Sequence, residues 1–430
     1  MSRAWFLGLI AFGVLVSGFV TLNGSQLALV IPIVLYWAYA LSRAPTQLNL
    51  EVHRTLSAER VAANAAFEVR LDVLNAGEAL EELILDDMLP AGLELVDGSL
   101  HHLVSLGRHA RFSFSYIVRG ARGAYAFGEI RAQASDALGL VPTSGHMSAS
   151  AGLHVMPVID RVQAFPIRPR RTRVYSGVIP ARVGGAGVEF YGVRSYSPGD
   201  VTRRINWRLL ARHPESLYCN EFQQERVADV AIVLDGRERA NLHVGGDSLF
   251  EHSVSAAGSI ASAFLEQGNR VGLLVYSHFL NWTFPGYGKV QRERILRALA
   301  LAAPGASQIF EGLQYLPTRL FSAEAQIVLI SPLLENDLST IIQLRARGHQ
   351  VAVMVPDPVA FELRGLPRRD SRYSREDAML AARIVGLERR VLLERLRRGG
   401  VQVIEWDVST PLDQTMRVAA RQLTRWRAPA

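Results

Sequence analysis

The stretch VADVAIVLD at residues 227–235 decides how the second half of this 430-residue chain is expected to fold. It is a continuous apolar run that ends in an acid, and such runs are typical of strands buried on both faces of a parallel sheet. Similar runs follow at 271–277, 326–334, 351–356 and 401–407. Helical patterns occur at 248–266, 289–303, 338–347, 376–398 and 412–426. This alternation predicts a doubly wound α/β domain over residues 227–430.

Asp235, the last residue of that first run, is the first candidate for a functional residue. Ligands of a doubly wound sheet bind at the carboxyl ends of its strands. The sequence contains no G-x-S-x-G elbow and no G-x-x-x-x-G-K-[ST] loop, and no G-x-G-x-x-G opens a helix after the first strand. We therefore predict no catalytic residues and no cofactor for this domain.

A doubly wound sheet whose first strand ends in an acid resembles the von Willebrand factor A domain. The metal site of that family uses D-x-S-x-S, a Thr and a second Asp from later loops. Here the two serine positions are Arg237 and Arg239, and the position that would offer the second acid reads Ser331-Pro332. Guanidinium groups repel a divalent cation, which needs several oxygen ligands. The resemblance thus predicts a degenerate site without metal, with Asp235 paired to one of the arginines.

A second pattern, GGAGVEFYGVRSYSPGDVTRRINWRLLAR at 184–212, lies just before the α/β domain. Together with LYCNEFQQERVADVAIVLD at 217–235 and FPGYG at 284–288, it resembles the domain-of-unknown-function family numbered 58. The matching positions are Glu189, Phe190, Arg194, Tyr196, Gly199, Asp200, Arg203, Ile205, Asn206, Trp207, Ala211 and Arg212. Twelve spaced matches make this resemblance far more specific than a single short motif.

The local chemistry of this motif predicts a capped amphipathic helix. Pro198-Gly199 favours a turn, and Asp200 can cap the helix behind it. An apolar stripe would then consist of Val201, Ile205 and Leu209. We expect Arg203 and Arg212 to pair with Glu189, Glu221 or Glu225 while Trp207 covers the pairs from water. This network either clamps the region to the sheet or, with Arg204 and Arg208 exposed, forms a docking surface for a partner.

Residues 46–156 have a period near two and frequent turn residues, as in FEVRLDVLNAG at 67–77. Several short strands separated by turns predict a β-sandwich of immunoglobulin-like shape. No cluster of residues in this module indicates chemistry. Residues 157–226, which follow it, are interpreted as a linker together with the motif region.

The N-terminus contains two uncharged apolar stretches, residues 4–20 and 27–41, joined by a polar turn. Each approaches the length that spans the roughly 30 Å hydrocarbon core of a bilayer. They predict a transmembrane helical hairpin over residues 1–45. Arginines flank the pair and are absent from the turn, which predicts a multi-pass protein of the inner membrane with its soluble domains in the cytoplasm.

Composition narrows the classes of function. The chain is 49% hydrophobic and 20% charged, which excludes a disordered tail, and its single cysteine excludes an internal disulfide framework. The net charge of +7 comes almost wholly from arginine. Five arginines cluster at Arg161, Arg168, Arg170, Arg171 and Arg173. No aromatic platform accompanies them, so we interpret them as part of a solvated connector and predict no nucleic-acid partner.

Two functions remain open at this point. The family resemblance implies a non-enzymatic, membrane-anchored adaptor that works with an AAA+ ATPase of the MoxR type in complex assembly or an envelope process. The alternative is a hydrolase that uses Asp200 and Glu189 as acid and base. The absence of a recognisable catalytic motif favours the adaptor.

Overall fold

The computed structural model describes residues 3–43, 47–135, 142–163, 165, 173–307, 312–322, 325–365 and 375–425. Within it the chain divides into two compact units, Met1–Met156 and Pro157–Ala430.

Three helices open the first unit, α1 (Arg3–Val20), α2 (Gly24–Ala28) and α3 (Val30–Arg43). Asn23 caps α2, because its side chain accepts a hydrogen bond of 3.1 Å from the amide of Ser25. Pro32 has no N–H to donate to the carbonyl of Ala28, so the ladder of α2 does not continue regularly into α3. The second apolar stretch is consequently divided between two helices.

No helix in the described parts of the chain is long and apolar enough to cross a membrane. At 1.5 Å per residue, α1 extends about 27 Å and α3 about 21 Å, less than the roughly 30 Å hydrocarbon core. The prediction of a transmembrane hairpin over residues 1–45 is therefore wrong. The predicted multi-pass placement in the inner membrane, which depended on it, is wrong as well.

Residues 50–156 form a four-stranded sheet in the order β1-β3-β7-β5 and a five-stranded sheet in the order β2-β9-β8-β4-β6. All neighbours are antiparallel except β2 and β9. The strands are β1 (Leu50–Leu56), β2 (Arg60–Ala62), β3 (Phe67–Asn75), β4 (Leu80–Asp87), β5 (Leu93–Asp97), β6 (His101–Leu106), β7 (Arg111–Gly120), β8 (Gly123–Ser135) and β9 (Thr143–Met156). Alternate residues of β3 are buried, as the period of two predicts.

A buried polar triad links the two sheets inside this core. Arg54 on β1 donates to Asp87 on β4 at 2.5 Å, and the hydroxyl of Tyr116 on β7 donates to the same carboxylate at 2.6 Å. Burial raises the pKa of the Asp87 carboxyl, although the bonds from Tyr116 and Arg54 oppose that shift. Removing one partner would leave a buried group unpaired, so each member of the triad depends on the other two.

The second unit begins with β10 (Arg173–Ser195), the short helix α4 (Trp207–Leu210) and β11 (Tyr218–Val227). The strands β10 and β11 pair antiparallel with several register shifts. The segment interpreted as a linker is thus partly a strand pair. Of the clustered arginines, Arg168, Arg170 and Arg171 lie outside the described residues.

A six-stranded sheet follows in the order β16-β15-β12-β17-β18-β19. Five strands are parallel and β16, which the sequence analysis missed, is an antiparallel edge strand. The elements are β12 (Asp229–Asp235), β13 (His243–Val244), β14 (Asp247–Ser248), α5 (Leu249–Glu266), β15 (Arg270–Tyr276), β16 (Leu280–Gly286), α6 (Gly288–Leu301), β17 (Gln326–Ile330), α7 (Asp337–Ala346), β18 (Gln350–Pro356), α8 (Pro358–Arg364), α9 (Arg375–Arg398), β19 (Gln402–Trp406) and α10 (Leu412–Arg425).

Both faces of this sheet are covered, as the continuous apolar strands predict. Along β12, Ile232 and Leu234 belong to a core shared with α5, α6 and α10, whereas Ala231 and Val233 belong to a core shared with α7 and α9. The chain leaves β12 toward β15 on one side and later returns to β17 on the other. The crevice beside the carboxyl end of β12 is therefore the topological switch point of the sheet.

Candidate functional site

Four buried polar residues meet at this switch point. Asp235 is the last residue of β12, and Arg237 follows it by two positions. Ser331 comes directly after β17, and Asp337 is the first residue of α7. Each of the four is at most 3% exposed. Charged groups are rarely buried this completely unless they are paired.

Arg237 binds both carboxylates in a forked geometry. Its Nε and Nη2 atoms donate to the two oxygens of Asp235 at 2.9 and 2.7 Å. Its Nη1 and Nη2 atoms donate to the two oxygens of Asp337 at 2.9 and 2.7 Å. Bidentate pairs of this kind are among the strongest hydrogen-bonded contacts in proteins. The guanidinium therefore lies between the two acids as a fixed internal cation.

Neighbouring groups donate further hydrogen bonds to the two carboxylates. Asp235 also accepts from the hydroxyl of Ser331 at 2.5 Å and from the amide of Arg237 at 3.1 Å. Asp337 accepts from the amide of Leu334 at 2.8 Å. The side-chain amide of Asn241 donates to the carbonyls of Asp235 and Arg237 and holds the turn after β12.

Burial by itself would lower the pKa of Arg237, but hydrogen bonds to Asp235 and Asp337 outweigh burial and raise it. The guanidinium thus stays protonated, and one positive charge faces two negative charges. A divalent cation would need the same carboxylate oxygens that Arg237 already occupies. The predicted pairing of Asp235 with an arginine is confirmed, and the arginine is Arg237.

An open cleft of about 870 Å³ lies above this network and is lined partly by Arg237, Arg239, Asn336, Asp337 and Ser339. Arg239 is exposed there. The second acid, Asp337, was not predicted from the sequence, because it lies at the start of α7 and not directly after the strand β17. The signal was the Asn336-Asp337 pair that begins α7, because acids are favoured in the first turn of a helix.

A second cluster forms within the motif, around Arg194 on β10. Its guanidinium donates to the two oxygens of Asp200 at 2.7 and 2.5 Å and to Glu221 on β11 at 3.0 Å. Asp200 also accepts from the amide of Ser197 at 2.8 Å. The bonds from Arg194, followed by that from Ser197, lower the pKa of Asp200. This cluster closes the turn at Gly199, whose φ of +106° favours glycine.

The predicted helix behind Asp200 is wrong, because Asp200 binds Arg194 and the preceding amide of Ser197 instead of capping the amides that follow it. A 3-10 turn at Thr202–Arg204 and the four-residue α4 take its place. The cap of α4 is Asn206, whose side chain accepts from the amide of Leu209 at 3.0 Å and donates to Asn220 at 2.8 Å. The predicted apolar stripe is broken: Ile205 is buried, but Val201 is 61% exposed.

The expected cover over the ion pairs is also wrong, since Trp207 is 62% exposed. Arg203, Arg208 and Arg212 are exposed beside it. Arg204 lies over the ring of Phe222 at 5.6 Å.

Glu221, expected to bind Arg203 or Arg212, binds Arg194 instead. The side chains of Glu189 and Glu225, the other two expected acids, lie outside the described residues. Tyr196 takes part through its backbone, donating to the carbonyl of Leu217 at 2.9 Å.

Both clusters lie within one segment that matches a known protein family. Residues 192–370 match the family model described as "Protein of unknown function DUF58". This segment belongs to the DUF58 family. The DUF58 match therefore includes Arg194 and Asp200 as well as Asp235, Arg237 and Asp337. No curated protein matches the chain.

Solved structures similar to parts of the chain include the CARDB domain of the PF1109 protein from Pyrococcus furiosus, at 16% identity over 24% of this chain and 90% of that chain, with a TM-score of 0.16. A PapD-like domain of human CEP192 has 15% identity over 26% of this chain and 89% of that chain, with a TM-score of 0.18. TM-scores this low support no conclusion about this chain.

Proposed function

We propose that this DUF58 chain is a non-enzymatic adaptor that works with a MoxR-type AAA+ ATPase. In this proposal the α/β sheet is a von Willebrand factor A-like binding domain in which Arg237 has replaced the metal ion. The observation that carries the proposal is the double fork from Arg237 to Asp235 and Asp337.

The arrangement of the sheet supports this proposal. When the six strands of this sheet are numbered in chain order, their order in the sheet is 3-2-1-4-5-6, and the third strand is antiparallel to the others. Asp235 ends the first of these strands and Asp337 follows the fourth. Asp235 is at the position of the first acid of the metal site that the resemblance implies. Ser331 occupies the position of the second acid, and Asp337 reaches the same site from six residues further along the chain.

Replacing a metal by an arginine changes how such a site would work. A bound divalent cation can take a carboxylate from a partner as an additional ligand. A guanidinium whose donors already bind two carboxylates has little capacity for another strong pair. We therefore infer that partner binding does not depend on divalent cations at this site and instead uses exposed surface, including Trp207 and Arg208.

The chemistry around Asp200 disfavours the hydrolase alternative. A general acid at neutral pH needs a pKa raised toward neutrality. The pKa of Asp200 is instead lowered, and its carboxylate is already bound by Arg194.

The test uses the purified full chain and a MoxR-type ATPase from the same organism. We expect the ATPase, loaded with a non-hydrolysable nucleotide, to bind the immobilised chain saturably. Arg208→Ala should weaken that binding, whereas Arg294→Ala, at an exposed position of α6, should not. No binding by the wild-type chain would refute the partnership.

The metal part of the proposal is tested separately by calorimetric titration of the wild-type chain with Mg²⁺. We expect no saturable heat. Micromolar binding that Asp235→Ala abolishes would show that the site still holds a metal.

A further inference from the structure

A line of exposed apolar side chains runs along α9, on a face that lies apart from the sheet. Leu380, Ile384, Leu387 and Val391 are 58%, 52%, 59% and 52% exposed, respectively. Their spacing of four, three and four residues places them on one stripe of the helix. Large apolar side chains that are more than half exposed in a continuous stripe indicate a surface for another molecule.

The orientation of this stripe is fixed by the opposite side of the helix. Leu393 and Leu396 are 1% and 0% exposed and belong to the core beneath the sheet. Between them and the stripe, Arg389 donates to the carbonyls of Pro332 and Pro356 at 2.6 and 3.3 Å. Since these contacts prevent α9 from turning about its axis, the stripe faces outward.

We propose that the stripe on α9 binds the same stripe of a second copy of this chain, in a parallel two-stranded packing. The spacing is that of a coiled-coil seam, with Ile384 and Val391 at a positions and Leu380 and Leu387 at d positions. β-branched residues at a with leucine at d favour a parallel dimer over larger assemblies. The occupant that this residue pattern selects is therefore a second α9.

The charges that flank the seam before Val391 favour the same partner and orientation. Arg383 occupies a g position and Glu388 the following e position, and both are exposed. In a parallel dimer, g of one helix meets the next e of the other, so Arg383 pairs with Glu388 of the second copy twice. An antiparallel dimer would instead bring the g residues Arg383 and Arg390 together, which is repulsive.

The seam ends after Val391, because the next d position is Glu394, which binds Arg397 of its own helix at 2.7 Å. The next g and e positions, Arg390 and Arg395, carry like charges. Two heptads form a small interface, so the dimer dissociates on dilution. This inference is independent of the adaptor proposal, since it involves neither the ATPase nor the Arg237 site.

Sedimentation velocity of the full chain over a range of concentrations tests the dimer. We expect the wild-type chain to shift from monomer to dimer as concentration rises. Leu380→Glu/Leu387→Glu should raise the dissociation constant by about tenfold or more. The matched control is Met379→Glu/Val385→Glu, at exposed positions of the same helix outside the seam, and it should dimerise like the wild type.

Orientation is tested by charge exchange and by crosslinking. Arg383→Glu should weaken the dimer and Arg383→Glu/Glu388→Arg should restore it. Leu380→Cys should form a disulfide between two copies under oxidation, because only parallel helices bring both 380 positions together; the native Cys219 is buried. A wild-type chain that stays monomeric at every attainable concentration would overturn the proposal. So would a control variant that loses the dimer equally, or a Leu380→Cys variant that dimerises without crosslinking.

Discussion

Arg237 and Asp337 are 100 residues apart in sequence, yet two hydrogen bonds of 2.9 and 2.7 Å join their side chains. This contact connects the turn after β12 to the start of α7, across the switch point of the sheet. Together with the fork from Arg237 to Asp235, it makes one arginine the partner of two buried acids.

Arg237→Ala should lower the free energy of unfolding by about 3–5 kcal/mol, because it leaves two carboxylates buried without their cation. The measurement is urea denaturation of the full chain followed by tryptophan fluorescence, since Trp282 and Trp406 report on this unit. Arg239→Ala, at an exposed neighbouring position, should change stability by only about 0.5 kcal/mol. Equal effects of the two substitutions would contradict the assigned role of Arg237.

The double substitution Arg237→Ser/Arg239→Ser should create Mg²⁺ binding that we expect the wild-type chain to lack. It removes the internal cation and restores the D-x-S-x-S pattern beside Asp337 and the hydroxyl of Ser331. Calorimetry should show saturable binding, and added Mg²⁺ should raise the melting temperature of the variant. Arg239→Ser alone should gain nothing, because Arg237 still occupies the carboxylates. A double variant indifferent to Mg²⁺ would argue against descent from a metal site.

Asp200→Asn should destabilise the chain at neutral pH but not in acid. The bonds from Arg194 hold the folded-state pKa of Asp200 below its ordinary value of 3.8. The carboxylate therefore stabilises the fold above pH 3.8, and this contribution is lost as pH falls through the folded-state pKa. As the pH is lowered from neutral through the folded-state pKa of Asp200, the melting temperatures of the variant and the wild type should converge. Glu215→Gln, at an exposed acid, is the control, and a difference that persists in acid would exclude the ion pair as its cause.

Alanine substitutions at two adjacent residues of the motif should differ in their effect on stability. Asn206→Ala removes the cap of α4 and the bond to Asn220, which should cost about 0.5–2 kcal/mol of stability. Trp207→Ala should change stability by about 0.5 kcal/mol or less, since the ring is 62% exposed. Binding of the ATPase should decrease for Trp207→Ala while its thermal melting stays unchanged. A large loss of stability in Trp207→Ala would show that the ring packs against the protein.

Much of the α/β unit follows from local sequence. The apolar runs at 227–235 and 351–356 correspond to β12 and β18, because strands covered on both faces bury nearly every side chain. The strand β16 escaped prediction because its run, LNWTFPG, is partly polar and contains a proline. Such composition is tolerated at a sheet edge, where one side of the backbone needs no ladder partner.

The wrong prediction of a transmembrane hairpin at the N-terminus has a different cause. The apolar residues mark the two stretches at 4–20 and 27–41, but the length of a helix also depends on its backbone hydrogen bonds. The cap at Asn23 and the missing donor of Pro32 are local signals that hydropathy does not measure. The motif error is similar in kind, since the capping propensity of Asp200 was real but Arg194 provided a stronger, charged partner.

The sequence by itself determined the family of residues 192–370, the strand that ends in Asp235 and the pairing of this acid with one of two nearby arginines, because these depend on residues close together in the chain. The structure shows that this arginine is Arg237. Only the tertiary structure decided that Asp337 completes the site and that Trp207 is exposed. The pairing of β12 with β17 brings α7 to the switch point, and no local pattern encodes a contact across 100 residues. Likewise, the exposure of a side chain depends on what the rest of the fold packs against it.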